Sequence, residues 1–477
     1  MADSATHTPA DAAADTSTAP VPVTRILARF TLEGDNRLGE SVRAQAARAF
    51  VNHVGCAVGG STEPAARLSL RQADRFSGAR AATVFGRVER LDALHAAWIN
   101  GLQSAIQTFD DTHLPSVVHP TGPVASAALA LIEDESARAV DGETFVVALA
   151  MGIEVACRVG GALTQAGSGL HLGVFTTGIA GAIGAAAACG RLLGLDEERQ
   201  AWALGIATAQ AGGLRVSHAT MTGGLIPAQG ARIGLGAALL ARDGFDCSSA
   251  GLEGRNGLFQ VFAPHARPEA VIEALGDHFE MAELAYKPYP CGIVIHPVID
   301  GCLDIAARLA PADRIAQVRL RVHPLALQLT GLRHPRQALD TKVSLWHWTA
   351  AALLRRRADI AMGDDDAVRD PELAALRERI EADADDALGR DEARVEVTLD
   401  DGRRFDAHVP HARGSRARPM TDGEIDAKFT TQVAPVLGAA RADELREACR
   451  RLRASDASWA GWLPRLGQPP AIHKETP

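Results

Sequence analysis

Tyr286-Lys287-Pro288-Tyr289-Pro290-Cys291-Gly292-Ile293-Val294-Ile295-His296 is the stretch on which the reading of this 477-residue chain turns. Both tyrosines of the chain lie in it. So does one of only four lysines (Lys287, Lys342, Lys428, Lys474), set against a large excess of arginine. An ammonium is a compact charge whose proton affinity moves on burial, which a guanidinium cannot match. Pro288 and Pro290 hold the residues before them extended. The segment therefore reads as a stiff, non-helical ribbon presenting Lys287 and Tyr289 at fixed angles. Cys291-Gly292 breaks it, and an apolar run carries His296. The residues alone fit either an active-site strand or a proline-rich crossover between domains with a solvated Lys287.

Periodicity changes on passing this stretch. Upstream, Val42, Ala46, Ala49, Phe50, Val54 and Ala57 mark one helix face, closed by Gly59-Gly60. A short β-like piece covers 81–86, and a helix runs from Leu91 to Gln107. A polar loop spans Asp110 to Pro120, and Val124 to Ile132 is helical again. The segments 145–157 and 179–193 are apolar nearly all round, which predicts central, buried helices. Further helices are predicted over 197–210 and 231–242. Downstream, 316–322 alternates like a half-exposed strand, and 393–408 reads as a hairpin turning at Asp400-Asp401-Gly402. Helices are predicted over 343–355 and 373–382. Helical patterning returns over 424–434 and 442–452, with Lys428 read as an ordinary surface charge. The expected fold is mainly α. A large all-α domain (23–277, completed by C-terminal helices 420–465) carries an inserted, smaller α+β lid domain (278–415). Residues 1–22 hold almost no large apolar side chain and are expected to be a disordered tail.

Composition narrows the function. A net charge of −9 and a pI of about 6.0 argue against a nucleic-acid surface. The seven cysteines are dispersed, with no C-x-x-C pair, so neither a zinc site nor a disulfide framework nor an iron–sulfur cluster is suggested. The N-terminus carries no basic segment followed by an apolar one, so it does not read as a signal peptide. The longest apolar run, 174–190, is Gly/Ala-rich and short for a membrane span. These features lead to the expectation of a cytoplasmic protein that binds neither nucleic acid nor membrane.

The densest chemistry lies in Thr108-Phe109-Asp110-Asp111-Thr112-His113-Leu114-Pro115-Ser116-Val117-Val118-His119-Pro120. Carboxylates beside imidazoles supply acid/base groups and fix a tautomer. Helix capping by Asp110, Asp111 and Thr112 is the plainer alternative. No metal-ligand spacing is present, so no metal is expected. Gly167-Ser168-Gly169-Leu170-His171-Leu172-Gly173 precedes Thr176-Thr177-Gly178, where backbone N–H groups at a helix start suit an anion. No dinucleotide fingerprint occurs in strand context, so no cofactor of that kind is implied. Met221-Thr222-Gly223-Gly224-Leu225 reads as a loop leading into a helix, and His218 as a surface residue.

In this order, Phe109-Asp110-Asp111-Thr112-His113 with His119-Pro120, Gly152-Ile153-Glu154-Val155 with Arg158, Gly184-Ala185-Ala186-Ala187, Leu192-Leu193-Gly194-Leu195, Leu252-Glu253-Gly254 and Lys287-Pro288-Tyr289-Pro290-Cys291 with His296 resemble the MmgE/PrpD family over about 24–460. The family includes dehydratases, a decarboxylase and an epimerase of small carboxylic acids. The resemblance implies an all-α domain with an α+β lid, a homodimer, and cofactor-independent chemistry beside a substrate carboxylate. Four positions depart from the family pattern: Thr108, Phe175, Gly223 and Ile226, the last three where the family carries His, Lys and His. His171 is a candidate substitute for the His missing at Phe175. On this footing Lys287 is expected to hold the substrate carboxylate and His119 to move the proton. Asp111 would orient His119, and Thr112 would bond the substrate. Asp110, His171, Tyr289 and His296 are further candidate substrate contacts. The expected reaction is lyase-type, a dehydration of a small hydroxy acid. An isomerase, epimerase or decarboxylase of a small acid, or a binding protein that has lost the chemistry, are the alternatives.

Overall fold

The computed structural model describes residues 21–134 and 139–467; the expected tail at 1–20 lies outside them. The chain is mainly helical. One core is built from the helices Glu40–Gly60, Ala93–Ile106, Thr121–Glu133, Gly142–Leu163, Thr176–Leu193, Glu197–Gln210 and Met221–Arg242. Asp92, Asp141 and Asp196 start three of these by accepting a hydrogen bond from a backbone N–H three residues on, as N-cap carboxylates do. The Ala/Gly richness has a packing cause. A Cβ added at Gly184 would stand 2.4 Å from the Gly152 carbonyl oxygen. The helices Gly142–Leu163 and Thr176–Leu193 thus touch backbone to backbone. These two, with Met221–Arg242, are long and apolar enough to cross a membrane, but the first two bury 94% of that apolar window inside the protein.

Two helical predictions change. Met221–Arg242 begins at Met221, not near 231, so the expected loop is its first turns, with Pro227 inside it. The expected helix at 373–382 is a short helix, Pro371–Arg377, capped by Asp370, followed by a strand, Ile380–Ala384. Parallel pairing with Ile315–Val322 takes those last residues; tertiary pairing overrides the local helical pattern.

The second core covers roughly 285–399. Its four-stranded sheet runs Ile380–Ala384, Ile315–Val322, Ala393–Leu399, Arg404–Val409 in spatial order. The hairpin between the last two turns at Gly402 in the left-handed region, φ +83°. Helices His296–Arg308 and Leu345–Arg355 belong to the same module. The C-terminal helices Asp422–Leu437 and Ala439–Arg450 return to the first core, where Phe145 stacks between Phe50 and Trp459 with ring centroids 5.3 and 5.0 Å away.

The two cores meet along a strand the sequence did not announce. Leu284–Tyr286 pairs antiparallel with Asp111–His113, inside the supposed polar loop. Side chains alternate along a strand, so Leu284 and Tyr286 enter the helical core while Ala285 enters the second. The seam therefore follows the expected boundary at 278 by several residues. A buried clamp fixes the approach to it. Arg158 bonds Glu154 at 2.6 Å and donates to the carbonyls of Val271, Glu273 and His278. Glu154 accepts from the N–H groups of Glu280 and Met281. The Glu154–Arg158 pair thus has a positional job, aiming the chain into the seam strand.

Candidate active site

The register Asp111↔Tyr286 places Asp110 opposite Lys287, just beyond the paired residues. Their side chains form a short, buried ion pair. Burial on its own would push the Asp110 carboxyl up, but Lys287, His119 and Lys428 outweigh it and hold it below the usual carboxylate range.

His119 lies against this pair. Its Nδ1 is 3.0 Å from the Asp111 carbonyl oxygen, 3.0 Å from Thr112 Oγ1, 3.4 Å from Lys287 Nζ and 3.7 Å from an Asp110 oxygen. A carbonyl only accepts, so the tautomer that satisfies it carries hydrogen on Nδ1 and leaves Nε2 as the free base. Burial and the Lys287 cation lower the imidazole pKa to about 4, so the ring is neutral at pH 7. The main-chain N–H of His119 donates to Thr177 at the start of the next buried helix, at 3.1 Å.

His119 and Asp110 open onto a cavity of about 110 Å³ where the two cores meet. The first module contributes Thr108, Phe175, Arg215 and His218; the second contributes Ile293, Val294, Leu329 and Lys342. The walls are apolar, with cations at intervals. Thr108, Val117 and Ala219, all on its lining, are non-glycine residues in the left-handed region (φ 53°, 56° and 59°). For β-branched Thr108 and Val117 this conformation is costly, and such strain gathers at functional sites.

Several expectations need correction in position. Asp111 orients His119 through its carbonyl; its carboxyl accepts instead from Thr121 at 2.5 Å. Burial pushes that carboxyl up to about 6. Thr112 is fully buried behind His119 and bonds the ring, away from the cavity lining. Lys287 is fully buried too, so its ammonium reaches Asp110 and His119 and does not line the cavity. Tyr289 donates to Asp300 at 2.6 Å, and buried His296 packs edge-on to Tyr289 at 5.3 Å. Burial pushes the His296 ring down to about 3, and neither residue lines the cavity. His171 is exposed, accepts from the Gly173 N–H and lines a neighbouring pocket; it does not stand in for the position of Phe175.

His218 does face that position. Its ring meets Phe175 edge-on at 4.7 Å, and Phe175 in turn meets His119 at 6.2 Å. Burial and Arg215 lower the His218 pKa to about 4. Reading His218 as a surface residue missed this, and Arg215 and Lys342 were missed altogether. The Arg215 guanidinium lies 5.7 Å from the Phe175 ring, with Nε donating to the Val174 carbonyl. Lys342 donates to the Pro290 carbonyl at 3.1 Å, and burial lowers its pKa. Arg215 was legible only as one arginine among many. Lys342, one of four lysines, had rarity as its one signal. Lys428, taken as a surface charge, is buried beneath the Asp110–Lys287 pair.

Comparison with known proteins divides the chain at the same seam, though the C-terminal match also takes in the helices that return to the first core. The MmgE/PrpD N-terminal domain matches residues 26–270 and the MmgE/PrpD C-terminal domain matches 289–454; the seam strand falls between them. A human protein named cis-aconitate decarboxylase is 24% identical over 456 residues, covering 92% of this chain and 94% of the relative. The cis-aconitate decarboxylase of Aspergillus terreus is 24% identical over 430 residues, covering 83% and 86%. A cis-aconitate decarboxylase-like protein of Aspergillus oryzae is 31% identical over 262 residues, covering 52% and 54%. Matched along both of its halves, on either side of the strand that joins Asp110 to Lys287, the chain belongs to the MmgE/PrpD family.

Proposed function

We propose that this chain is a cofactor-independent lyase of a small carboxylic acid, working by proton transfer at His119. The observation that carries the proposal is a neutral imidazole, fixed at Nδ1 and free at Nε2, beside a cavity with cations on two sides. Arg215 and Lys342 hold the substrate carboxylate. Nε2 removes a proton from the adjacent carbon, and the electron pair moves into the carboxylate as an enediolate. The cations stabilise that charge where water is excluded. In the hydro-lyase reading, hydroxide then leaves the next carbon and takes a proton as water. Lys287 keeps Asp110 ionised and contributes positive charge behind the ring. With Arg215 from one module and Lys342 from the other, the second module acts as a lid whose closure completes the site. The same reading takes the enzyme as a homodimer, as the family resemblance implies.

Decarboxylation is the second reading. The names of the relatives favour it, and so does the apolar wall of Phe175, Ile293, Val294 and Leu329, which would destabilise a carboxylate and favour neutral carbon dioxide. Both readings are tested by incubating the protein in D₂O with a panel of hydroxylated and unsaturated di- and tricarboxylates. Proton NMR follows exchange and water loss, and a coupled assay follows carbon dioxide. The expected result is exchange or loss at the carbon beside a carboxylate, abolished in His119→Gln. Calorimetric binding of an acid without exchange, water loss or carbon dioxide would overturn the proposal in favour of a binding protein.

A further inference from the structure

Lys428 sits on the C-terminal helix Asp422–Leu437, far in sequence from either half of the site. Its ammonium is buried and has three hydrogen-bond acceptors. It donates to Asn52 Oδ1 at 2.7 Å, to the Phe109 carbonyl at 2.6 Å and to the Lys287 carbonyl at 2.8 Å. All three N–H bonds of the ammonium are thereby used. Its nitrogen also stands 4.1 Å from the Phe109 ring centroid, within cation–π range. The Phe109 carbonyl belongs to the peptide that leads into Asp110, and the Lys287 carbonyl to the peptide that leaves Lys287. Strand pairing fixes 111–113 against 284–286, but Asp110 and Lys287 lie past the last paired residues.

We infer that Lys428 is a positioning residue for this site, a staple that holds the Asp110 and Lys287 peptides at the separation their ion pair and His119 require. The inference rests on the proton-transfer reading above. Geometry supports it against a merely structural cation. A lysine placed only to fill the core would not find two carbonyls flanking two charged side chains of one pair. The titratable groups around it are Lys287 and Asp110 at the seam, Asp111 on the strand beside them, and the Cys56 thiol on Glu40–Gly60, which burial keeps neutral. Burial lowers the Lys428 pKa to about 8, so the staple is charged at neutral pH and weakens in alkaline solution.

The test compares the full-length chain with Lys428→Met, which keeps the length of the side chain and removes its donors, and with Asn52→Ala, which removes one of three acceptors and leaves Lys428 in place. Two readouts are taken: kcat and KM on an acid the parent turns over, and the NMR titration of the His119 ring. The groups facing that ring are Lys287, Asp110, Arg215, the Asp111 carbonyl and Thr112. Lys428→Met is expected to lower kcat about 100-fold with KM nearly unchanged, the size of a misplacement on the order of 1 Å. It also removes a cation from the cluster and so raises the His119 midpoint. Asn52→Ala keeps the cation, so any shift of the His119 midpoint it causes comes from the loosened Asp110 and Lys287 peptides; it is expected to lower kcat and move the midpoint by smaller amounts, so the test survives if Lys428→Met does not fold. Should the parent turn over no acid, the function reading fails by itself while the His119 titration still tests the staple. Folded variants with an unmoved His119 midpoint and unchanged kcat, or a loss confined to KM, would overturn the inference.

Discussion

Lys287→Met asks whether the seam pair behaves as a buried ion pair. The side chain of Lys287 is fully buried and that of Asp110 is 8% exposed. Removing one partner of such a pair strands the other charge, at a cost of about 3–5 kcal/mol. That is a large part of a typical folding free energy of roughly 5–15 kcal/mol. Read by urea denaturation, it corresponds to a midpoint shift on the order of 1 M. The double variant Asp110→Asn/Lys287→Met should recover most of the loss, because no buried charge is left unpaired. The pH dependence has a definite sign. In the parent, Asp110 titrates below its ordinary value, so its contribution is present above about pH 4 and lost as pH falls through the depressed pKa. Without Lys287, burial dominates and raises the carboxyl above its ordinary value, so acid relieves the variant. The gap between parent and Lys287→Met should be widest near neutrality and close toward pH 4. A single variant no less stable than the double one, or a gap that widens in acid, would refute the reasoning.

Four further outcomes are expected. With the His119 pKa near 4, kcat/KM should still be at its plateau at pH 5.5, where an ordinary imidazole is mostly protonated, and should fall only toward the lowered midpoint; an acid limb near 6.5 in the pH–rate profile would contradict the assignment. Arg215→Gln and Lys342→Met should each raise KM for a dicarboxylate roughly 10- to 100-fold in steady-state assays, the loss of one charge-assisted hydrogen bond. Asp111, raised to about 6, is a carboxylate the fold holds at a cost, so Asp111→Asn should stabilise by up to about 3 kcal/mol at pH 8. The gain should fade as pH falls below 6 and be gone near 4, as denaturant midpoints across pH would show. Gly184→Ala should destabilise by about 1–3 kcal/mol or more through overpacking against the Gly152 carbonyl, seen as a lowered Tm.

The architecture was legible because its signals are local. Apolar runs over 145–157 and 179–193 carry their helical, core-seeking character within themselves, and so does the 316–322 alternation of a half-exposed strand. The helix expected at 373–382 failed because parallel pairing with Ile315–Val322 is a non-local event that leaves no mark on a helical pattern. The site divides the same way. His119 and Lys287 stood out by chemistry and rarity, and the structure brings them to 3.4 Å. Which atom of Asp111 faces His119 depends on the strand register, and no spacing rule encodes it. Lys428 was misread because Glu424 to Lys428 looks like a solvated charged turn, yet that turn faces the seam. Arg215 and His218 sit on a loop of ordinary composition, and only the fold shows that the loop closes over Phe175.

The position of Lys428 bears on how the chain is made. Its bond to the Phe109 carbonyl spans 319 residues, and the Asp110–Lys287 pair spans 177. At about 5–20 residues per second, a ribosome delivers Lys428 some tens of seconds after Phe109. Over the first half of that interval the nascent chain can collapse its first helices, but the Asp110 loop has no partner strand; over the second half it has the strand Leu284–Tyr286 but not its fastener. Contacts that far apart are also the slow ones to close. On the proposed function, turnover would therefore arrive late, once the helix Asp422–Leu437 has left the exit tunnel. A chain stopped before Lys428 would, on that proposal, be compact but inert, so the appearance of turnover during synthesis would report emergence of the helix Asp422–Leu437.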